Sequence, residues 1–193
     1  MRKCFINGFH EGSAWNYSFY VPHDVYGLAK LMGGKNPFIK KLQMVFDEGL
    51  YDPANEPDIA YAHLFSYFRG EEWRTQKETQ RLLDKYFTTK PNGIPGNDDT
   101  GTMSAWAIFN MIGFYPDCPG LPEYTLTTPV FNKVTIRLDP KWYKEKELVI
   151  ESNRTQPGTL YINKVLLNGK KFNQYRITHD ELVHSQRILF DLK

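Results

Sequence analysis

Apolar residues recur every three or four positions through the first part of the chain, a spacing that predicts helices with one buried face. This period predicts five helices, over residues 25–32, 38–46, 59–68, 73–87 and 103–112. Glycines stand where helices typically end, at Gly33-Gly34, Gly70 and Gly113. We therefore expect helical hairpins in this part of the chain, with no strand before about residue 122.

The pattern changes to an alternation of apolar and polar residues after Pro122, which is typical of strands. Strands are predicted over residues 134–138, 148–151, 160–162, 165–167 and 187–192. Asn168-Gly169 directly follows one of them and is a strong hairpin signal. Helices first and strands afterwards favour an α+β fold with an antiparallel β unit over a doubly wound sheet.

Composition narrows the function classes. Of 193 residues, 41% are hydrophobic and 24% charged, with a formal net charge of +2, so no concentrated basic face is expected and we predict no nucleic-acid partner. No run of about 18 apolar residues occurs, so we predict no membrane span. The two cysteines, Cys4 and Cys118, match no metal spacing, and one bridge or two free thiols both remain open.

Three polar clusters lie in connections between the predicted helices, where functional residues concentrate. The densest covers residues 96–101 and contains Asn97, Asp98 and Asp99. A turn followed by a helix cap explains part of this composition. Two adjacent acids beside an asparagine exceed what a cap needs, so they also offer a metal ligand, a general base, or both.

The second cluster covers residues 52–58, where two prolines stiffen the backbone around Asn55 and Glu56. Hard oxygen ligands on a stiff loop suit calcium, which takes six to eight of them. Capping by Asp58 at a helix start is the simpler alternative, and the loop does not match an EF-hand.

The third cluster places Glu11 among Trp15, Tyr17 and other aromatic residues, followed by His23-Asp24. A carboxyl group partly desolvated by aromatic rings would have a raised pKa, as a general acid needs. His23 and Asp24 fit a hydrogen-bonded pair, a helix cap, or no special role.

No nucleophile elbow, HExxH helix or phosphate-binding glycine loop occurs in the chain. Carboxylates are what remain, and paired carboxylates flanking a glycosidic bond are the standard solution for acid/base hydrolysis. Where such a pair acts by inversion, the two carboxyl groups lie about 6.5–9.5 Å apart.

These clusters resemble the consecutive C-terminal motifs of glycoside hydrolase family 92. The matching segments are EGSAWNYSFYVPHDV (residues 11–25), NEP (55–57), GNDDTGTMSAWAIFNMIGFYPDCPG (96–120) and PVFNKVTI (129–136). Their order matches the family, and the resemblance runs over nearly the whole chain.

The resemblance implies a calcium-dependent, exo-acting α-mannosidase that is similar to α-1,2-mannosidases. It implies a β-sandwich combined with an (α/α)6 barrel, and inversion by a single displacement. Glu11 matches the family's acid position and Asp99 its base position, while Ca²⁺ contacts fall on Asn55, Glu56 and Asp99. Residues expected to contact the substrate are Trp15, His23, Asp24, Trp73, Asn97 and Asp98.

Two departures from the family pattern affect these expectations. Residues 48–54 replace a glycine-rich loop that helps to form the leaving-group subsite, and Asp58-Ile59 stands where Ser-His usually follows NEP, so the linkage stays open. Family enzymes are also several times longer. We therefore expect residues 1–121 to be part of the catalytic barrel and 122–193 a C-terminal β region, with the β-sandwich and the first half of the barrel missing.

The implied partners are a mannose-containing glycan and either the missing N-terminal portion or a second copy of the chain. The resemblance suggests a bacterial protein that is secreted, periplasmic or on the cell surface, with a cytoplasmic location also open. The main alternative is an inactive truncated fragment that binds only carbohydrate or a partner domain. A non-enzymatic adhesion module is disfavoured by the helical half and by the Glu11/Asp99 pair.

Overall fold

The computed structural model describes residues 8–193, so Cys4 lies outside the described residues. The α-helices are α1 (Ala14–Tyr17), α2 (Val25–Leu31), α3 (Lys35–Asp47), α4 (Glu72–Tyr86), α5 (Thr102–Ile112) and α6 (His179–Val183). Two 3₁₀ helices cover Glu56–Asp58 and Tyr61–Tyr67. Four of the five predicted helices are thus confirmed as α2–α5, within about two residues at most ends.

The strands are β1 (Phe114–Tyr115), β2 (Glu123–Leu126), β3 (Lys133–Arg137), β4 (Glu147–Arg154), β5 (Ile162–Leu167), β6 (Lys170–Phe172), β7 (Arg176–Thr178) and β8 (Arg187–Leu192). A three-stranded antiparallel sheet has the order β1-β2-β7, and a five-stranded sheet has the order β3-β4-β8-β5-β6. In the larger sheet β4 and β8 run parallel, whereas the other neighbours are antiparallel. The predicted α+β class is confirmed.

One predicted helix and one predicted strand need correction. The segment over residues 59–68 is not an α-helix; it forms the 3₁₀ helix Tyr61–Tyr67, whose residues 61–66 are all buried. A segment buried on every side has no polar face, so its apparent helical period carried little information. The strand expected at residues 160–162 begins only at Ile162, because Leu160 and Tyr161 lie outside the β5 ladder.

A short strand also precedes residue 122, against expectation. Phe114 and Tyr115 pair with Leu126 and Thr125 of β2. Two buried residues are too few to show an alternating pattern, so the sequence could not reveal β1. The predicted hairpin is confirmed: Asn168 (φ 48°) and Gly169 (φ 81°) connect β5 to β6 in the left-handed region, as a type I′ turn requires.

Hydrophobic residues form two clusters. The first joins α2–α5 and the second 3₁₀ helix around side chains such as Phe38, Leu42 and Phe65. The second lies beneath the sheets around Ile150, Ile188 and Phe190. Phe109 of α5 packs against both clusters, so the helices and the sheets share one continuous interior. The division at residue 121/122 stays a prediction.

None of the helices in residues 8–193 is long and apolar enough to cross a membrane.

His63 ties the second 3₁₀ helix to α5 from a fully buried position. Its Nε2 lies 2.9 Å from Oδ1 of Asn110, whose Nδ2 donates to the Trp106 carbonyl. Since Asn110 presents its oxygen, His63 must carry its proton on Nε2, and Nδ1 has no partner within the described residues. Burial lowers the pKa of His63, so the folded protein holds a neutral imidazole.

We expect His63 to make the fold acid-sensitive. The unfolded chain binds a proton near pH 6.5 and the folded chain resists it, so stability from this group is present above pH 6.5 and falls as pH drops below it. The loss should approach about 1.4 kcal/mol per pH unit between the two pKa values. Urea unfolding at pH 5 to 8 would measure the free energy of unfolding of wild type and of His63→Gln. The difference between the two should show this slope, because the two proteins share all other titrating groups. A difference independent of pH would contradict it.

Candidate active site

The predicted acid, Glu11, lies in a surface loop directly before α1. Its backbone is in the left-handed region (φ 55°), and its carbonyl accepts a hydrogen bond from Nδ2 of Asn55. Two residues on, both the amide and the hydroxyl of Ser13 donate to Oδ1 of Asn16, each at 2.8 Å. The loop is therefore fixed at both ends, by Asn55 on one side and by Asn16 on the other.

Asp58 anchors this loop from the interior. Its side chain is fully buried, and Oδ2 accepts from Nδ2 of Asn16 and from the amide of Asp52, each at 2.7 Å. Oδ1 has no partner within residues 8–193. Burial, which removes the charged form from water, raises the pKa of Asp58 to about 8. One carboxyl group thus joins α1 to the loop that carries Asn55 and Glu56.

Glycine allows the first two loops to approach closely. A Cβ on Gly12 would lie 3.2 Å from Nδ2 of Asn55 and 3.2 Å from Oδ1 of Asn16. These distances are tighter than ordinary packing, so a larger residue at position 12 would push the acid loop away from Asn55.

The third loop, residues 96–101, packs against the second. A Cβ on Gly96 would lie 2.7 Å from Cβ of Ala54, next to Asn55. Asp99, Thr100 and Gly101 are all left-handed, with φ of 41°, 62° and 91°. This tight bend exposes the Asp99 side chain while its carbonyl accepts from the backbone and hydroxyl of Thr102.

Asp98 and Asp99 have different surroundings although they are adjacent. The carboxylate of Asp98 accepts from the amide and hydroxyl of Ser104, at 2.8 and 2.9 Å, and so caps the start of α5. The capping explanation weighed from the sequence therefore describes Asp98. Asp99 keeps an exposed carboxylate, as a base or a metal ligand requires.

The structure brings together the loops of Glu11, Asn55 and Asp99, but not all the predicted substrate residues. Asn97 is exposed on the Asp99 loop, and Trp15 is half-buried against the helical core. His23 and Asp24 line a separate cavity of about 350 Å³, where Asp24 caps α2 through the Gly27 amide. Trp73 lines another cavity, of about 440 Å³. Neither of these cavities is lined by residues of the three loops.

The expectation that aromatic rings desolvate Glu11 is wrong for residues 8–193. The Glu11 side chain is 75% exposed and lies 3.4 Å from Nε2 of His10. Phe19 points into the core, and Trp15 packs on it, so neither ring covers the carboxyl group.

The donors on these loops fit calcium in kind. Asn55 contributes an amide oxygen, and Glu56 and Asp99 contribute exposed carboxylates, all hard oxygen ligands. In the described part of the chain, no three His, Cys, Asp or Glu side chains converge as a metal cluster. Since calcium takes six to eight oxygens, these residues could supply only part of its coordination shell.

Sequence reasoning missed the two residues that hold the site together, Asp58 and Asn16. The sequence predicts Asp58 only as a possible helix cap, and it predicts no role for Asn16. One signal in the sequence could have indicated that Asp58 is buried. It stands between Pro57 and Ile59, where a side chain exposed to solvent is less expected.

We expect Asp58→Ala to destabilise the chain by about 2–4 kcal/mol, because Asn16 Nδ2 and the Asp52 amide lose their buried acceptor. Asp58→Asn keeps an acceptor oxygen of the same shape, so it should cost no more than about 1 kcal/mol. Urea unfolding followed by tryptophan fluorescence would measure both. Equal losses in the two variants would show that packing, not the hydrogen bonds, matters at this position.

Comparison with known proteins places this geometry in a family. Residues 5–193 match the model of the glycosyl hydrolase family 92 catalytic domain. A protein described as an uncharacterized secreted glycosidase of Arthroderma benhamiae is 30% identical over 171 residues, which are 89% of this chain and 22% of that protein.

Solved structures agree. The family GH92 alpha-mannosidase BT3965 of Bacteroides thetaiotaomicron, in complex with mannoimidazole, superposes with a TM-score of 0.87 at 30% identity, covering 95% of this chain and 26% of that one. The family GH92 inverting mannosidase BT2199 of the same organism gives 0.83 at 32% identity, covering 96% and 28%. The chain thus spans about a quarter of the length of these relatives. By the match over almost its whole length, the chain belongs to glycosyl hydrolase family 92.

Proposed function

We propose that this chain carries the acid, the base and part of the calcium shell of an inverting α-mannosidase that removes terminal mannose from glycans. The observation that supports this most is the contact between three loops far apart in sequence, through Glu11, Asn55 and Gly96. Family membership and the mannosidase relatives supply the substrate class.

In this proposal Glu11 donates a proton to the glycosidic oxygen as the leaving group departs. Asp99, exposed on its left-handed bend, takes a proton from the water that attacks the opposite face of the sugar. Asn55, Glu56 and Asp99 would hold calcium, which when bound supplies a positive charge that orients sugar hydroxyls and keeps nearby carboxylates ionised. Asn55 would also position the acid, since its side-chain amide donates a hydrogen bond to the Glu11 carbonyl.

A second candidate is an inactive fragment that binds only sugar or another domain. The 75% exposure of the Glu11 side chain favours it, because catalytic groups act in sites from which water is excluded. The side chains of Asn55, Glu56 and Asp99 also supply fewer oxygens than the six to eight of a calcium shell.

The secreted glycosidase relative supports a secreted location for this protein.

Calcium binding should depend on Asp99. In calorimetric titration we expect Asp99→Ala to lose most of the affinity of the 193-residue chain, because a carboxylate ligand is removed. Thr100→Ala is the matched control, since it places alanine at a similar positive φ without removing a carboxylate. Equal affinity in Asp99→Ala and wild type would remove Asp99 from the metal shell and leave it as a base only.

The 193-residue chain alone should hydrolyse aryl α-mannosides very weakly or not at all, even with calcium. Catalysis needs the sugar held between acid, base and metal, and a misplacement of about 1 Å can cost about a hundredfold. Assays with a good leaving group would measure this directly. Robust turnover by this chain would contradict the view that further segments complete the site.

In a protein that completes the family domain, Glu11→Gln should slow substrates with poor leaving groups far more than those with good ones. Only a poor leaving group needs the proton that Glu11 supplies. The measurement is kcat/KM for a series of aryl mannosides of increasing phenol pKa. Equal slowing across the series would remove Glu11 from the acid role.

A further inference from the structure

A cleft of about 440 Å³ lies where α4 meets the end of the five-stranded sheet. Three aromatic residues line it, Trp73 from α4 and Tyr161 and Tyr175 from the segments beside β5 and β7. Residues 11–13, 54–56 and 96–99 do not line this cleft, so the proposed catalytic chemistry does not use it.

The aromatic wall of the cleft is ordered. The Trp73 ring meets Tyr161 edge-on, with centroids 6.5 Å apart, and the Arg74 guanidinium lies 4.5 Å from the Trp73 ring centroid. Trp73 nevertheless stays 39% exposed. A large ring fixed by neighbours but open to solvent presents an apolar surface at little entropic cost.

Gln76 adds a buried polar group at the base of this wall. It is only 2% exposed, and its Oε1 accepts from the amide of Ile162 at 3.0 Å. That bond fixes the orientation of the amide, because a backbone N–H can face only the oxygen. Gln76 lines the cleft, so its Nε2 is the donor that this amide offers to a molecule bound there.

Glu72 and Lys193 add one acidic and one basic side chain to the lining of the cleft, beside the phenol of Tyr175. Glu72 uses one carboxylate oxygen to accept from the Gly70 amide, which leaves its other oxygen as an acceptor at the cleft. Burial raises the pKa of Tyr175, so it stays a neutral phenol and donates to the Ile162 carbonyl. An aromatic face with one amide donor and one carboxylate acceptor matches the alternating C–H and O–H surfaces of a neutral pyranose.

We propose that the Trp73–Gln76 cleft binds one hexopyranose unit of a glycan, at a site separate from the Glu11–Asp99 loops. The proposal goes beyond hydrolysis, because such a site would hold a second part of the glycan on the same chain.

Titration of the ¹⁵N-labelled chain with methyl α-D-mannopyranoside, followed by NMR, tests the site. The background variant is Asp99→Asn, which removes the proposed base, and Trp73 and Gln76 report on the cleft alone because they lie outside the Glu11–Asp99 loops. We expect shifts of the Trp73 indole N–H and of the Gln76 side-chain amide. Trp73→Ala should weaken binding by about tenfold or more, as the loss of a stacked ring predicts.

Trp142→Ala is the matched control, because Trp142 is also exposed (71%) and also lies beneath a cation, with Lys141 Nζ 4.9 Å from its ring centroid. It should leave the affinity unchanged. Gln76→Glu keeps an oxygen for the Ile162 amide but removes the donors, so it should weaken binding, with the amide spectrum of the variant checked for retention of the fold. No shift at Trp73 or Gln76 at high mannoside concentration, or equal affinities in Trp73→Ala and Trp142→Ala, would overturn the proposal.

Discussion

The site depends on one buried carboxyl group. Asp58 is the last residue of the first 3₁₀ helix, and its buried side chain faces α1, where a single oxygen accepts from both Asn16 and the Asp52 amide. On one side, Asn16 accepts a hydrogen bond from Ser13. On the other side, the chain runs from Asp52 to Asn55, whose side-chain amide donates to the Glu11 carbonyl. The bonds therefore close a ring around the acid loop. A buried acid with an unpartnered oxygen is costly, and the two hydrogen bonds that the other oxygen accepts offset part of that cost.

The sequence predicted those elements whose pattern is local. Helix α3 buries Phe38, Leu42 and Val45 on one face, as their spacing predicts. Helix α5 ends at Gly113 in the left-handed region, as the glycine predicts. The hairpin at Asn168-Gly169 was equally local. Helix α6 was missed although it has a local signature, since Thr178 and Glu181 form a capping box. Strands β2 and β7 are short and pair across about 50 residues, so the sequence around each strand does not predict that they form a sheet.

The site was predictable in its loops but not in its connections. Motif resemblance selected Glu11, Asn55 and Asp99, and the structure places their loops in contact. The same resemblance grouped Trp73 and His23 with them, whereas these residues line two other cavities. The order of motifs along a chain does not give the distances between them in the fold, so only the structure could show that Trp73 and His23 lie apart from the three loops. Desolvation of Glu11 was inferred from neighbouring aromatic residues, but in a helical turn such as α1 adjacent side chains point in different directions. In the proposed enzyme, further segments would have to cover this acid.

The central claim is that the loops of Glu11, Asn55 and Asp99 form one mannose-binding site. NMR titration of the ¹⁵N-labelled chain with mannoimidazole in the presence of calcium tests it most directly, because amide shifts report each loop separately. The account predicts weak binding that shifts the amides of Gly12, Asn55 and Asp99 together, with the same apparent Kd. Shifts confined to one of these loops, or to residues outside them, would contradict it.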